Sequence, residues 1–193
     1  MKYLKTFNES QDNSIEILSS LFPYVEGLEF IGKGKLGKAY MGVLSDNTIV
    51  VCKLTNSLSE YFMTRMAMVS NPPHTVKFYD AKVYDESKYL YGIVHEWVSR
   101  DAMPSKEVWD LADNSINGIG GAIKLNNKEE KYEFELAHKK ITELENHFGG
   151  IEIDTLWENW GYDSERNLVI FDLDGNVSRP KYEKFMKTYN ETP

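Results

Sequence analysis

Apolar positions change their period along the chain. Over residues 13–22, NSIEILSSLF, they recur at helical spacing and predict a short amphipathic helix capped by Asn13 or Ser14. From residue 28 the pattern becomes that of strands. Residues 28–32, 39–44 and 49–54 predict three of them, joined by GKGKLGK and by the turn sequence SDNT. The β-branched run TIVV suits a buried strand. Residues 57–69, SLSEYFMTRMAMV, return to helical spacing, with Ser57 or Ser59 as cap and NPP at 71–73 as stop. Two more strands are predicted at 75–84 and 89–94, with DESK as the turn between them.

The second half reads as mostly helical. A short helix is predicted over 105–113, followed by a flexible break at GIGG, 118–121. A long helix follows from 127 to about 148. Phe134, Ala137, Ile141, Leu144 and Phe148 fall at steps of three and four and make one apolar face, and Gly149-Gly150 ends it. Short extended pieces are expected around 166–172, with a final helix at KYEKFMKTY. The order predicts an α+β chain in two lobes: a flexible start at 1–12, an N-terminal lobe over 13–98 and a helical lobe over 99–193, hinged near residues 96–99.

Composition changes this picture little. The chain has 193 residues, 41% hydrophobic and 27% charged, enough for a real core. A net charge of −8 without a basic stripe argues against nucleic acid or an anionic membrane as partner. The single cysteine, Cys52, excludes an internal disulfide, reads as a buried inert thiol and points to a reducing cytoplasm. No apolar run reaches the length of a membrane span, and the first residues lack the apolar centre of a signal peptide.

Candidate chemistry lies in two places. Gly32, Gly34 and Gly37 form a GxGxxG that opens a second strand rather than a helix. This excludes a dinucleotide fingerprint, and the missing Lys-Ser/Thr ending excludes a Walker loop. Such a loop between two strands can lay backbone N–H groups over phosphates; a plain glycine-rich hairpin is the other reading. Sixteen residues on, Lys53 interrupts a β-branched run, with Val51 on its face and Cys52 and Leu54 opposite. A lysine held in a sheet wants an anion. Glu60, the only acidic residue between Lys53 and Asp80, is the local candidate, unless it serves only the helix dipole. The second place is IDTLWENWGYDSERNLVIFDLDG, where Asp154, Asn159 and Asp172 stand five and thirteen positions apart. The four histidines share no metal-ligand spacing, and Trp157 and Trp160 read as packing under this loop.

Together these segments resemble the protein-kinase-like superfamily. IGKGKLGKAY is similar to its nucleotide loop, VVCKL to its lysine strand, HTVKFYD with YLYGIVHEWV to its last sheet strands and hinge, and DTLWENWGYDSERNLVIFDLD to its catalytic and metal loops. They run in family order from about residue 28 to 176, and the last looks closer to small or atypical kinases of phage and bacteria than to eukaryotic protein kinases. The resemblance implies a bilobal fold with a five-stranded antiparallel N-terminal sheet, one helix within it, and a short helical second lobe. It implies ATP and magnesium as cofactors. Lys53 would lie on the α/β-phosphates, Asp154 would be the catalytic aspartate, Asn159 and Asp172 metal ligands, and backbone groups from Glu96 to Val98 would grip adenine.

Several positions depart from the family. Glu152-Ile153 replace its His-Arg pair, Leu156 its lysine, and Asp174 the glycine of its metal motif; Glu60 comes only seven residues after Lys53. Eighteen residues follow Gly175, too few for an activation segment, so protein-substrate docking in the usual manner is not expected. VIFDLDGNV by itself is similar to the nucleophile loop of haloacid-dehalogenase-like phosphatases, with Asp172 as nucleophile and Asp174 as acid/base. That family places this loop early, and the reading leaves the glycine loop and Lys53 unexplained. The expectation is a phosphotransferase acting on an unknown protein or small-molecule hydroxyl. The alternative is a non-catalytic module of the same fold that docks on a protein partner.

Overall fold

The computed structural model describes residues 13–118 and 123–189. The flexible start expected at 1–12 and most of the glycine break at 118–121 lie outside the described residues. In chain order the elements are α1 (Ser14–Leu21), β1 (Glu26–Lys33), β2 (Gly37–Val43), β3 (Ile49–Thr55), α2 (Leu58–Ser70), β4 (Phe78–Asp85), β5 (Leu90–Glu96), α3 (Lys106–Ile116), α4 (Lys128–His147), β6 (Trp160–Tyr162), β7 (Leu168–Ile170) and α5 (Arg179–Thr188). Single 3-10 turns lie at Glu86–Lys88, where DESK was expected to turn, and at Trp157–Asn159. The fold is α+β, as the pattern predicts.

β1 to β5 form one antiparallel sheet in the order β1-β2-β3-β5-β4. The SDNT turn closes β2 onto β3 with Asn47 at a φ of 66°, a left-handed position that asparagine tolerates well. Period-two alternation divides the strands between two faces. Tyr40, Val50, Cys52, Leu54 and Val94 face α1 and pack with its Ile17, Leu18 and Phe22 into one core. A larger core unites Phe62, Met63 and Met66 of α2 with Trp109, Ile141, Leu144, Trp160 and Ile170 from the second half.

Capping explains where the helices begin and end. The side chain of Ser57, not Ser59, accepts the Glu60 N–H at 3.0 Å and opens α2, while Asn71 at φ 47° closes it. Asn127 accepts the Glu130 N–H at 2.9 Å and opens α4; Gly149 and Gly150 end it at positive φ. Burial of Ala137, Ile141, Leu144 and Phe148 follows the predicted stripe, and Phe134 remains only half-buried at its start.

Two departures from the pattern come from pairing between segments and within a tighter hairpin. β4 begins at Phe78 rather than 75, because residues 74–76 pair with β7 instead: Ile170 N–H donates to His74 O and Val76 N–H to Ile170 O. The extended pieces expected at 166–172 form a hairpin that starts earlier, at Trp160, with a turn held by the Asp163 carboxylate, which accepts from the N–H groups of Glu165 and Asn167. α5 then returns to α2. Tyr182 stacks on Phe62 with ring centroids 4.2 Å apart, and Arg179 meets Glu86 at 2.5 Å. Among the described residues, no helix is long and apolar enough to cross a membrane.

Candidate active site

A cleft of about 890 Å³ opens between the sheet and the second half of the chain. Gly32, Gly34, Gly37, Lys53, Val98, Asn159 and Asp172 all line it. The structure therefore gathers seven of the ten residues singled out from the sequence into one space. Ala39 and Val51 supply apolar surface from the strands, and Phe171 supplies it from the far side.

The glycines differ in what holds them. A Cβ on Gly37 would sit 2.4 Å from the Leu54 carbonyl oxygen, so the crossing of β2 and β3 demands glycine there. Gly32 and Gly34 have neither a positive φ nor any atom within 4 Å of a notional Cβ. Neither backbone conformation nor packing among the described residues requires them. Gly37→Ala is expected to lower stability by about 1–3 kcal/mol, as forced overpacking does. Gly34→Ala is expected to stay within roughly 0.5 kcal/mol of the parent. Denaturant titration of both checks this; equal losses would show that the loop's glycines share one structural cause.

Lys53 sits at the centre. Its Nζ lies 2.7 Å from Glu60 Oε1 and 2.8 Å from Asp172 Oδ2. The alternation of β3 points it away from the α1 core, and the Ser57 cap sets Glu60 one helical turn into α2, opposite it. Glu60 is almost wholly buried, and Thr55 Oγ1 donates to its other oxygen at 2.7 Å. Burial drives the Glu60 carboxyl above the usual carboxylate range, with the Lys53 ammonium pulling the other way. Burial also opposes the charge on Lys53, but its two acidic neighbours outweigh burial and hold the ammonium above its ordinary value. With two donors engaged, one N–H of Lys53 remains for a further anion.

The acidic loops are zipped to each other by backbone. Asp154 N–H donates to Asp174 O at 2.8 Å, Asn176 N–H to Glu152 O at 2.9 Å, and Phe171 N–H to Asn159 O at 2.9 Å. Asn159 Nδ2 donates to Asp154 O at 3.0 Å, which leaves its Oδ1 as a free acceptor. Two buried indoles anchor the segment from below: Nε1 of Trp109 and of Trp160 both donate to Thr155 O, at 3.1 and 3.2 Å. Thr155 in turn donates to Asp113 on α3. Trp160 packs under the loop as expected. Trp157 is half-buried against the same core, its Nε1 donating to Pro104 O at 2.8 Å and the Arg100 guanidinium 4.2 Å above its ring. Ser57 Oγ donates to Asp174 Oδ2 at 3.1 Å and Ser59 to the Gly175 carbonyl, which ties this loop to the start of α2.

Three of the ten residues lie outside the cleft. Glu60 stands behind Lys53. Asp154 lines a separate hollow of about 480 Å³ with Asp113, Glu152 and Asp174. Partial burial first, then the charges of Asp172 and Asp174, raise its carboxyl above the ordinary value, as suits a proton acceptor. The Glu96 carboxylate turns away to accept from Ser164, and only its backbone is near the cleft wall. Val98, two residues on, lines the cleft, and its N–H bonds to nothing among the described residues. Thr155, Trp109 and Asp113 gave no signal in the sequence, since no spacing links them.

Cys52 is inert: burial pushes its thiol up to about 12. His95, one of the four histidines without metal-ligand spacing, is 3% exposed at the back of the cleft, and burial lowers its pKa to about 4. With a depressed folded pKa, the unfolded chain binds the extra proton first, so stability is full above pH 6.5 and falls as pH drops toward 4. We expect about 2 kcal/mol to be lost from this residue between pH 7.5 and 5. For this size of chain that is roughly 4–8 °C in melting temperature. His95→Gln should flatten the pH profile by that amount; an unchanged profile would show that His95 titrates freely in the folded chain.

Magnesium fits the donors present. Asn159 Oδ1 and Asp172 Oδ1 are hard oxygen donors without hydrogen bonds among the described residues. Among the described residues no group of three or more His, Cys, Asp or Glu side chains converges to hold a metal. Two hard oxygen donors without an all-protein cage suit an ion that keeps water and phosphate ligands.

No protein-family model matches the chain, and no curated protein matches it. Among solved structures, the crystal structure of aminoglycoside phosphotransferase APH(4)-Ia is similar at 14% identity and a TM-score of 0.38, over 57% of this chain and 40% of that one. A thermostable mutant of the same enzyme, in ternary complex with ADP and hygromycin B, is similar at a TM-score of 0.37 over the same shares. The match thus spans well under half of those proteins, and at this level it assigns neither a family nor an activity.

Proposed function

We propose that this chain is an ATP- and magnesium-dependent phosphotransferase of the protein-kinase-like type. The observation that carries the reading is Lys53 held between Glu60 and Asp172 in a cleft roofed by Gly32 and Gly34, two glycines that nothing among the described residues requires. A half-buried lysine with one N–H to spare, beneath a loop of open backbone, suits a phosphate chain. Val51, Ala39 and Phe171 would enclose the base, and Val98 N–H would meet it at the wall. Asn159 and Asp172 would hold magnesium, which when bound neutralises charge on the phosphate oxygens. Asp154 would accept the proton of the acceptor hydroxyl, and Asp172 and Asp174 keep its affinity for that proton high. Catalysis on such a plan is mainly positioning and charge neutralisation.

Thermal melting with ATP and magnesium tests this. At a hundredfold excess over Kd, binding adds about 2.7 kcal/mol, or roughly 5–11 °C for a chain of this size. The shift should vanish in Asp172→Ala. No shift in the parent at millimolar nucleotide would favour the non-catalytic docking module instead, and an equal shift in Asp172→Ala would remove Asp172 from the metal site.

A further inference from the structure

His95 is the one buried polar side chain of the cleft wall to which the proposed chemistry gives no task. It stands on β5 and faces the loop after β7, its ring stacked on Phe171 at 6.2 Å and 22° and edge-on to Phe78 at 5.9 Å. These contacts fix the ring plane. Nδ1 is 2.8 Å from the Glu96 carbonyl oxygen. A carbonyl only accepts, so Nδ1 carries the proton and donates. Burial keeps the ring neutral at ordinary pH. In a neutral ring protonated on Nδ1, Nε2 holds a lone pair. Nε2 has no hydrogen-bond partner among the described residues, yet it is not among the sealed polar atoms that lack one. It therefore opens on the cleft that His95 lines.

A hydrogen-bond acceptor, and no donor, thus stands at the back of the space. An acceptor left dry and unmatched costs its full desolvation, so the wall discriminates by what a ligand offers it. We propose that His95 Nε2 reads the nucleobase by accepting a hydrogen bond from an exocyclic amine, so that the cleft selects 6-aminopurine nucleotides over purines with a carbonyl or nothing at that position. The inference rests on the phosphotransferase reading, which puts a nucleotide in this cleft. A 6-carbonyl would set lone pair against lone pair. A bare purine would leave Nε2 unpaired without repulsion. The Val98 N–H is indifferent to that change, because adenine and bare purine both present an acceptor at N1.

The test is equilibrium binding of ATP and of purine riboside triphosphate, which share sugar, phosphates and N1 acceptor and differ only in the amine. The parent chain should bind ATP about tenfold tighter, as one hydrogen bond lost to a desolvated acceptor implies, and inosine triphosphate more weakly still. His95→Met keeps bulk and removes the acceptor, and should bring the first two ligands to within about twofold. His95→Gln, whose amide can turn either end to the base, should tighten inosine triphosphate and serves if the methionine variant does not fold. Equal binding of ATP and purine riboside triphosphate by the parent overturns the inference while leaving the phosphotransferase reading in place. So does a tenfold preference that persists in both variants. A parent that binds no nucleotide overturns both.

Discussion

Lys53→Met should cost the fold about 3–5 kcal/mol at pH 7.5, the penalty for leaving one member of a buried ion pair uncompensated. The stranded group is Glu60, whose remaining direct side-chain partner among the described residues is the Thr55 hydroxyl. The loss should depend on pH in a defined direction. Burial already drives the Glu60 carboxyl up, and removing the ammonium takes away the main opposing influence. The folded variant then holds a proton that the unfolded chain has released. Between the ordinary carboxylate value of 4.5 and the raised folded one, its stability falls as pH rises. The deficit against the parent should therefore be largest at neutral pH and shrink toward pH 4.5. Denaturant titration of both proteins at pH 7.5, 6 and 5 measures it. A deficit independent of pH would mean that Glu60 stays charged without Lys53, which the burial around it forbids. Glu60→Gln in the Lys53→Met background should recover much of the loss, since it removes the charge and keeps an acceptor for Thr55.

Asp154→Asn is expected to slow phosphoryl transfer by about 10²–10⁴, the usual contribution of a positioned general base. Nucleotide binding should be unchanged, because Asp154 lies outside the cleft that Lys53, Asn159 and Asp172 line. The loop itself should hold, since its anchors are the Asp154 backbone N–H to Asp174 and the two indoles on Thr155. Loss of γ-phosphate from ATP, with water in place of the unknown acceptor, gives the rate, and the melting shift gives the binding. Turnover at the parent rate would remove Asp154 from the chemistry. Loss of the ATP shift would instead place it among the nucleotide ligands.

Much of the fold was legible because it is locally encoded. The alternation through Val50, Val51, Cys52, Lys53 and Leu54 assigned each to its face, and the structure puts Cys52 and Leu54 in the α1 core with Lys53 opposite. The stripe through Ala137, Ile141 and Leu144 marked the buried side of α4. Glu60 could be picked as a partner for Lys53 because no other carboxylate was near in sequence. Three matters were not legible. The start of β4 depends on residues 74–76 pairing with Ile170 from the other half of the chain. The choice between Ser57 and Ser59 as cap depends on Gly175, whose carbonyl engages Ser59. His95 read as one of four scattered histidines until its contact with the Glu96 carbonyl and its place beside Phe171 were visible.

The sequence by itself determined which residue types were available at which period: a glycine loop between strands, a lysine inside a sheet, and an acidic loop far downstream. Periodicity and capping are short-range physics, and one strand or helix is enough to read them. Only the tertiary structure decided that these pieces share a cleft. Lys53 meets Asp172 across 119 residues and Ser57 meets Asp174 across 117, and no local pattern encodes contacts at that range. It also decided that Asp154 faces a separate hollow and that Gly37 alone of the three glycines is demanded by packing. Both depend on which backbone passes within a few ångströms, a property of the assembled sheet and loops rather than of any segment.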